Sequence, residues 1–178
     1  MHVELGSVRL RKPEPTDIEA LFIQKNDPEV AARLGGFTKG YTRADIGRWV
    51  EFHAAARDEA LYVIVDAEDR CLGHVGLYKI DHRLRAAEFA IMIGDKSKWG
   101  TGIGRACTGW ALRFGFDELA LHRIYLDVLE TNERAVKLYE SLGFQLEGRH
   151  RHAQWRSGRW VDLLSMSLLE DEWRAHGR

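Results

Sequence analysis

The chain has 178 residues, a formal net charge of −1 and 45% hydrophobic side chains. That length suits one domain with a sizeable core, and near-neutrality excludes a global field that would gather nucleic acid or an anionic membrane surface. The two cysteines, Cys71 and Cys107, lie far apart with no CxxC pair, so neither a zinc site nor a disulfide framework is indicated.

Residues 8–11 alternate and read as a first strand, stopped by Lys12-Pro13. Thr16 or Asp17 is placed to cap a helix from Ile18 to about Lys25, with Leu21 and Phe22 on its inner face. Arg43 to about Arg57 forms a second helix, carrying Ile46, Trp49, Val50 and His53 at helical spacing. Residues 61–65 are strongly β-prone, and the polar turn 66–70 joins them to a strand over 71–78, making a hairpin. Another strand covers 85–93, followed by a helix over 104–116 in which Cys107, Trp110, Ala111 and Phe114 repeat at three and four residues. Residues 123–129 form a strand with Ile124, Leu126 and Val128 on one face. Asn132 opens a helix that runs through Ser141 and stops at Leu142-Gly143. Residues 144–147 and 160–169 are closing strands, joined by a long basic-aromatic loop. No repeat, low-complexity segment or linker interrupts this order, so one mixed α/β domain over 1–178 is expected. No apolar run approaches the roughly 18 residues that span a bilayer, and the first residues lack the charged start and apolar stretch of a signal peptide. A soluble, cytoplasmic protein with no membrane or nucleic-acid partner is the expectation.

The most informative stretch runs from Ile91 to Ala106. An apolar strand (Ile91, Met92, Ile93) leads into a loop with alternate glycines at Gly100, Gly102 and Gly104, and the loop enters a helix. Glycines let the backbone turn and leave its N–H groups uncovered. The helix start adds its own unpaired N–H groups and positive dipole end, which together suit a phosphate or pyrophosphate. A nucleoside-triphosphate P-loop needs Gly-Lys-Ser/Thr, whereas Gly104 precedes Arg105-Ala106. A dinucleotide fingerprint needs G-x-G-x-x-G closing on a strand, and here the pattern is G-x-G-x-G several residues beyond it. On the glycines alone, a strand–helix connection with no ligand stays open.

Trp99-Gly100-Thr101-Gly102-Ile103-Gly104, followed by the segment from Asn132 to Phe144, closely resembles the GNAT superfamily of acetyl-CoA-dependent N-acetyltransferases. The resemblance covers nearly the whole chain, from the strand at 8–11 through the strand around Glu88 to the tail pattern at 158–162. It is nearest to the branch holding the ribosomal-protein N-terminal acetyltransferases RimJ and RimL and bacterial spermidine acetyltransferase. The resemblance implies a mixed, mostly antiparallel central sheet flanked by helices, with splayed central strands. It also implies that the strand ending Ile91-Met92-Ile93 carries a bulge and hydrogen-bonds the pantetheine arm like an added strand. Without the resemblance, Ile91–Ile93 is a buried strand end. Met92 N–H is assigned to the thioester carbonyl, where it would stabilise the oxyanion formed on attack. Amides from Trp99, Gly100, Thr101, Gly102, Ile103 and Gly104, with Arg105, would hold the pyrophosphate, although Arg105 equally reads as a solvated first-turn residue. Trp99 departs from the usual Gln or Arg at the head of this loop.

Tyr139 is the candidate general acid. A departing thiolate has a conjugate-acid pKa near 8.5 and a phenol about 10, so the phenol is protonated at pH 7 and able to donate to the sulfur. The plain alternative packs Tyr139 with Leu138 and Leu142 on an amphipathic helix. Asn132 caps its helix, and in the family the matching Asn touches the cofactor; Ala135 is placed beside it. Glu88 is the candidate general base, because only about 0.1% of a primary amine of pKa near 10.4 is free at neutral pH; a strand carboxylate paired with Arg85 or another arginine is the alternative. Arg149 to Trp160 mixes basic and aromatic residues, and His150-x-His152 lacks an evident third metal ligand, so no metal is expected. A hairpin loop bordering the acceptor site or a subunit contact is the reading, with a homodimer possible by analogy. His74 and His122 read as ordinary strand-end or packing histidines. No cysteine falls where the thioester should lie, so direct transfer is expected. The favoured acceptor is a protein N-terminal amine, the alternative a small-molecule amine such as spermidine, an amino sugar or an antibiotic, and the non-enzymatic alternative a CoA-binding sensor. The acids Asp17, Glu19, Asp27, Glu29, Asp45 and Glu51 alternate with Lys25, Arg33, Lys39, Arg43 and Arg48, so no polycation trough emerges.

Overall fold

The computed structural model describes residues 2–35 and 40–176, which leaves Lys39 outside the described residues. Its centre is an eight-stranded sheet of order β1-β2-β3-β4-β5-β6-β8-β7. In chain order the strands are β1 (Val3–Leu5), β2 (Val8–Arg11), β3 (Ala60–Val65), β4 (Cys71–Asp81), β5 (Ala86–Ile93), β6 (Arg123–Leu129), β7 (Gln145–Arg156) and β8 (Arg159–Leu169). Helices α1 (Ile18–Asn26), α2 (Pro28–Arg33) and α3 (Arg43–Ala55) precede β3, α4 (Ile103–Arg113) links β5 to β6, α5 (Glu133–Ser141) follows β6, and α6 (Glu170–His176) ends the chain. All neighbours are antiparallel except β5 and β6, whose connection through α4 returns the chain to the same end of the sheet.

Strand alternation divides the interior in two. Ala87 and Phe89 of β5 and Ile124, Leu126 and Val128 of β6 join a core with Ile103, Cys107, Trp110, Ala111 and Tyr139. On the opposite face Met92, Val63 and Val65 pack with Leu21, Val30, Ile46 and Val50 from α1, α2 and α3. The expected inner positions of α1 and α3 are therefore correct for Leu21, Ile46 and Val50, which are buried.

The feature that positions the site is where β5 and β6 part. They pair only at Ala86↔Arg123, Ala87↔Ile124 and Glu88↔Tyr125. Beyond Glu88, β5 stays on β4 as far as Gly73↔Ile93, and β6 stays on β8 as far as Leu129↔Leu163. Each strand is held by its outer neighbour, so the sheet opens as a V at its centre. The expected splay is present, but the expected bulge at Ile91–Ile93 is not. The β4–β5 register is unbroken from Gly73↔Ile93 to Tyr78↔Glu88 and shifts between Tyr78 and Asp81, where Lys79 takes φ 51°.

Several elements differ from the sequence reading. Strand β1 precedes the expected first strand, and α2 and α6 are short helices below the length at which periodicity is legible. Asp17 does not cap α1: its carboxylate takes both Arg11 guanidinium nitrogens at 2.8 and 2.9 Å and the Glu14 N–H at 2.8 Å. A buried arginine outcompetes helix N–H groups for a carboxylate because both partners are charged. The basic-aromatic loop is strand for most of its length. β7 runs on to Arg156, turns at Ser157-Gly158 and returns as β8 in a projecting arm. Most of this arm is solvent-exposed on both faces, so no alternation marked it in the sequence.

Candidate active site

The V between β5 and β6 is the floor of a cavity of about 800 Å³. Residues from Glu88 to Ile93 line one wall and Leu126, Asp127, Val128 and Leu129 the other. Main-chain groups in the opening have no cross-strand partner there, which leaves a strand edge on each side for an extended ligand.

At the wide end stands the glycine loop. Lys98, Trp99, Gly100, Gly102, Gly104 and Arg105 all line the cavity. Gly102 caps α4 in the left-handed conformation at φ 91°, and the first-turn amides of Ile103, Gly104 and Arg105 have no acceptor within the helix. Two expected donors are already used: Trp99 N–H bonds the Lys96 carbonyl at 3.1 Å and Thr101 N–H the Lys98 carbonyl at 3.4 Å. Thr101 Oγ1 also donates to Lys98, and the Ile103 side chain is core, so neither side chain reaches the cavity. The Trp99 indole has a definite task. Its Nε1 donates to the Ile93 carbonyl at 2.8 Å while the Arg33 guanidinium lies 4.4 Å over the ring, pinning the loop to the end of β5. Arg33, Lys98, Arg105 and Arg134 together make this end strongly basic. Arg105 also donates to Ser141 Oγ. Arg134, which the sequence reading passed over, sits two residues past the Asn132 cap, in the first turn of α5. These amides and cations fit a diphosphate, and the open strand edges fit an amide-bearing arm leading from it.

Helix α5 supplies the opposite wall. Asn132 accepts from Ala135 N–H at 3.4 Å and donates to the Arg33 carbonyl at 3.1 Å, tying α5 to α2 across the cavity. Both Asn132 and Ala135 line the cavity, as does Tyr139. Tyr139 is 7% exposed, edge-on to Phe89 at 6.0 Å and tilted on Phe144 at 5.6 Å. Burial pushes its phenol up to about 12. A phenol so placed is fully protonated at neutral pH.

Glu88 also lines the cavity, and its carboxylate is bound by Lys79 at 2.7 Å rather than by an arginine. The expected partner Arg85 instead binds Glu170 at 2.9 Å. Lys79 reaches Glu88 from the irregular stretch of β4, so that register shift serves the site. Asp127, not singled out in the sequence, shares the face of Glu88 by register and lines the same cavity.

His74 is more than a packing residue. It is 8% exposed, lines the cavity and stands beneath α1, with Tyr78 OH 3.4 Å from Nδ1 and Lys25 Nζ 3.3 Å from Nε2. Burial, then Lys25 and His53, hold the imidazole well below the usual histidine range, so it is neutral. Lys25 lies 4.4 Å over the Trp49 ring, and burial lowers its ammonium to about 8. Nothing local in the sequence announces this cluster. On the arm, Gln154 reaches the cavity, so β7 borders the site. Among the described residues no group of three or more His, Cys, Asp or Glu is placed to hold a metal, and no helix is long and apolar enough to cross a membrane.

A central sheet parted at one parallel pair, with a glycine loop and helix start closing the gap, is a cleft built for an extended ligand that carries a diphosphate at one end. Residues 7–145 match the family model for the acetyltransferase (GNAT) domain, and the chain belongs to this family, whose acetyl donor is acetyl-CoA. It is 36% identical over 121 residues to a spermidine N(1)-acetyltransferase of Vibrio cholerae, covering 68% of this chain and 69% of that protein. A spermidine N(1)-acetyltransferase of Escherichia coli is 28% identical over 95% of this chain and 89% of its own length. The crystal structure of spermidine N-acetyltransferase from V. cholerae with CoA and spermine superposes with a TM-score of 0.85 at 28% identity, covering 94% of this chain and 98% of that one. The relatives favour the small-molecule branch over the RimJ/RimL-like one.

Proposed function

We propose that this N-acetyltransferase moves the acetyl group of acetyl-CoA directly to a small-molecule primary amine rather than to a protein N-terminus. The observation that carries the reading is the V between β5 and β6, with Tyr139 entering it from α5. In this reading the free amides at Gly100, Gly102, Ile103, Gly104 and Arg105, with Lys98 and Arg134, hold the diphosphate. Main-chain groups at Ile91, Met92 and Ile93 bond the pantetheine arm, with Met92 N–H at the thioester carbonyl. The Tyr139 hydroxyl donates its proton to the departing sulfur. Glu88, whose carboxylate Lys79 binds at 2.7 Å, takes the proton of the acceptor ammonium. Both Cys71 and Cys107 are buried, with thiols pushed up to about 12, so neither supplies a thiolate for a covalent acetyl intermediate. The acceptor class follows the relatives, which are spermidine acetyltransferases.

Tyr139→Phe tests the mechanism. The expected result is a fall in kcat of roughly 10²-fold or more with CoA affinity unchanged by calorimetry. Equal turnover removes the acid from the mechanism. Acetylation of peptide N-termini but of no small amine would return the acceptor to the protein class.

A further inference from the structure

Given that the acetyl group moves to a small amine, as proposed above, we infer that Asp127 is a second proton acceptor beside Glu88 and passes its proton out through the Ser165 hydroxyl to the His150 imidazole. Strand register places the first member. Glu88 pairs with Tyr125 where the strands part, and β5 and β6 run parallel to each other beyond that point. At about 3.3 Å per residue, Asp127 lies about 7 Å up one wall, and Met92, whose N–H is assigned to the thioester carbonyl, about 13 Å up the other. Asp127 therefore stands between the level of Glu88 and the level of the thioester, on the face that carries Glu88, and lines the same cavity. The Lys79 ammonium is raised first by Glu88 and further by Asp127, so both carboxylates lie around one cation.

The hydrogen bonds beyond Asp127 lead out of the cavity. Asp127 pairs with Ser165 across β6 and β8, and the Ser165 hydroxyl donates to Asp127 Oδ1. His150 Nε2, from β7, stands 2.9 Å from the same hydroxyl. His150 is exposed and lines a second cavity, of about 610 Å³, with Arg151, His152 and Asp162 on the arm. Three side chains from three strands thus join the wall of one cavity to the wall of another.

The chemistry has a use for such a path. The acceptor nitrogen sheds two protons, one before attack and one after its lone pair has bonded the carbonyl carbon, and a carboxylate holds only one. Glu88 takes the first. Asp127 takes the second, the N–H electron pair staying on nitrogen. The new Asp127 O–H then donates to Ser165 Oγ while the Ser165 hydroxyl turns and gives its own proton to His150 Nε2. A free imidazole holds a proton more tightly than a free carboxylate, which drives the relay outward. Glu88 and the imidazolium each give a proton to water, and Tyr139, having protonated sulfur, regains one. Each turnover therefore releases one proton, as the change of an ammonium and a thioester into an amide and a thiol requires. Ser165 and His150 act through Asp127 and are positioning residues.

Kinetics of the full chain with acetyl-CoA and spermidine, followed by CoA release at neutral pH, test this. His150→Gln should lower kcat about 10-fold, while KM for the amine and CoA affinity by calorimetry stay within about twofold. Added imidazole should restore most of that loss and leave the unsubstituted enzyme unchanged, a rescue that a merely structural role would not give. Ser165→Ala should lower kcat by a similar factor, and Ser165→Thr, which keeps the hydroxyl, should recover it. Unchanged kcat in His150→Gln or Ser165→Ala overturns the inference and leaves the proposed function standing. A loss in His150→Gln that imidazole does not restore does the same. Absence of transfer to spermidine and to every other small amine tried, with CoA still bound, overturns the inference and the proposed function together.

Discussion

Replacing Lys25 by methionine should stabilise the fold. Burial lowers the Lys25 ammonium from 10.5 to about 8, a difference of about 2.5 units, or roughly 3 kcal/mol. At pH 7 the folded chain keeps the proton, so it holds a desolvated charge that the unfolded chain leaves in water. Methionine retains the apolar stem against Trp49 and gives up a cation–π contact of about 1 kcal/mol. The net gain of about 2 kcal/mol raises Tm by about 4–8 °C for a chain of this size. The sign with pH is fixed by proton counting. Between pH 8 and the unfolded lysine value the unfolded chain binds more protons than the native one, so native stability rises with pH there. The methionine variant has no such rise, and its advantage is greatest below pH 8 and shrinks above it. The titratable neighbours do not change charge in this window: His74 on β4 is already neutral and the Cys71 thiol is pushed up to about 12. Paired melts of both proteins at pH 7, 8, 9 and 10 provide the test. A lower Tm for the variant at pH 7, or a difference that does not narrow above pH 8, refutes the reasoning.

Asp17→Asn should destabilise the fold by about 3 kcal/mol, because it leaves the buried Arg11 guanidinium with only the half-exposed Asp69 as its anion. Urea unfolding measures this, and a loss below about 1 kcal/mol would show that Asp69 alone satisfies Arg11. Gly102→Val meets no atom within 4 Å of the new Cβ, so its effect is confined to the backbone at φ 91°. Forcing a β-branched residue into that region costs about 1–3 kcal/mol, and the loop relaxes by rotating its amides. CoA affinity by calorimetry should fall about 10-fold, and an unchanged value would show that these amides do not grip the diphosphate.

The parts of this site that were legible in the sequence are those whose signal is local. Alternate glycines before a helix, Asn132 three residues before Ala135, and the apolar alternation of Ile124, Leu126 and Val128 are all patterns between near neighbours along the chain. Backbone sterics and period decide such features wherever the segment sits, so the loop, α5, β6 and the place of Tyr139 followed from the sequence alone. The point at which β5 and β6 part was not available in that way. It depends on how far β4 and β8 hold their own neighbours, a competition among four strands drawn from well-separated parts of the chain. Tertiary structure likewise chose Lys79 over Arg85 for Glu88, turned Asp17 from a cap into the partner of Arg11, and set Lys25 against His74, 49 residues away. Electrostatic partners are decided by distance in space, and strand register, which no single segment encodes, sets that distance.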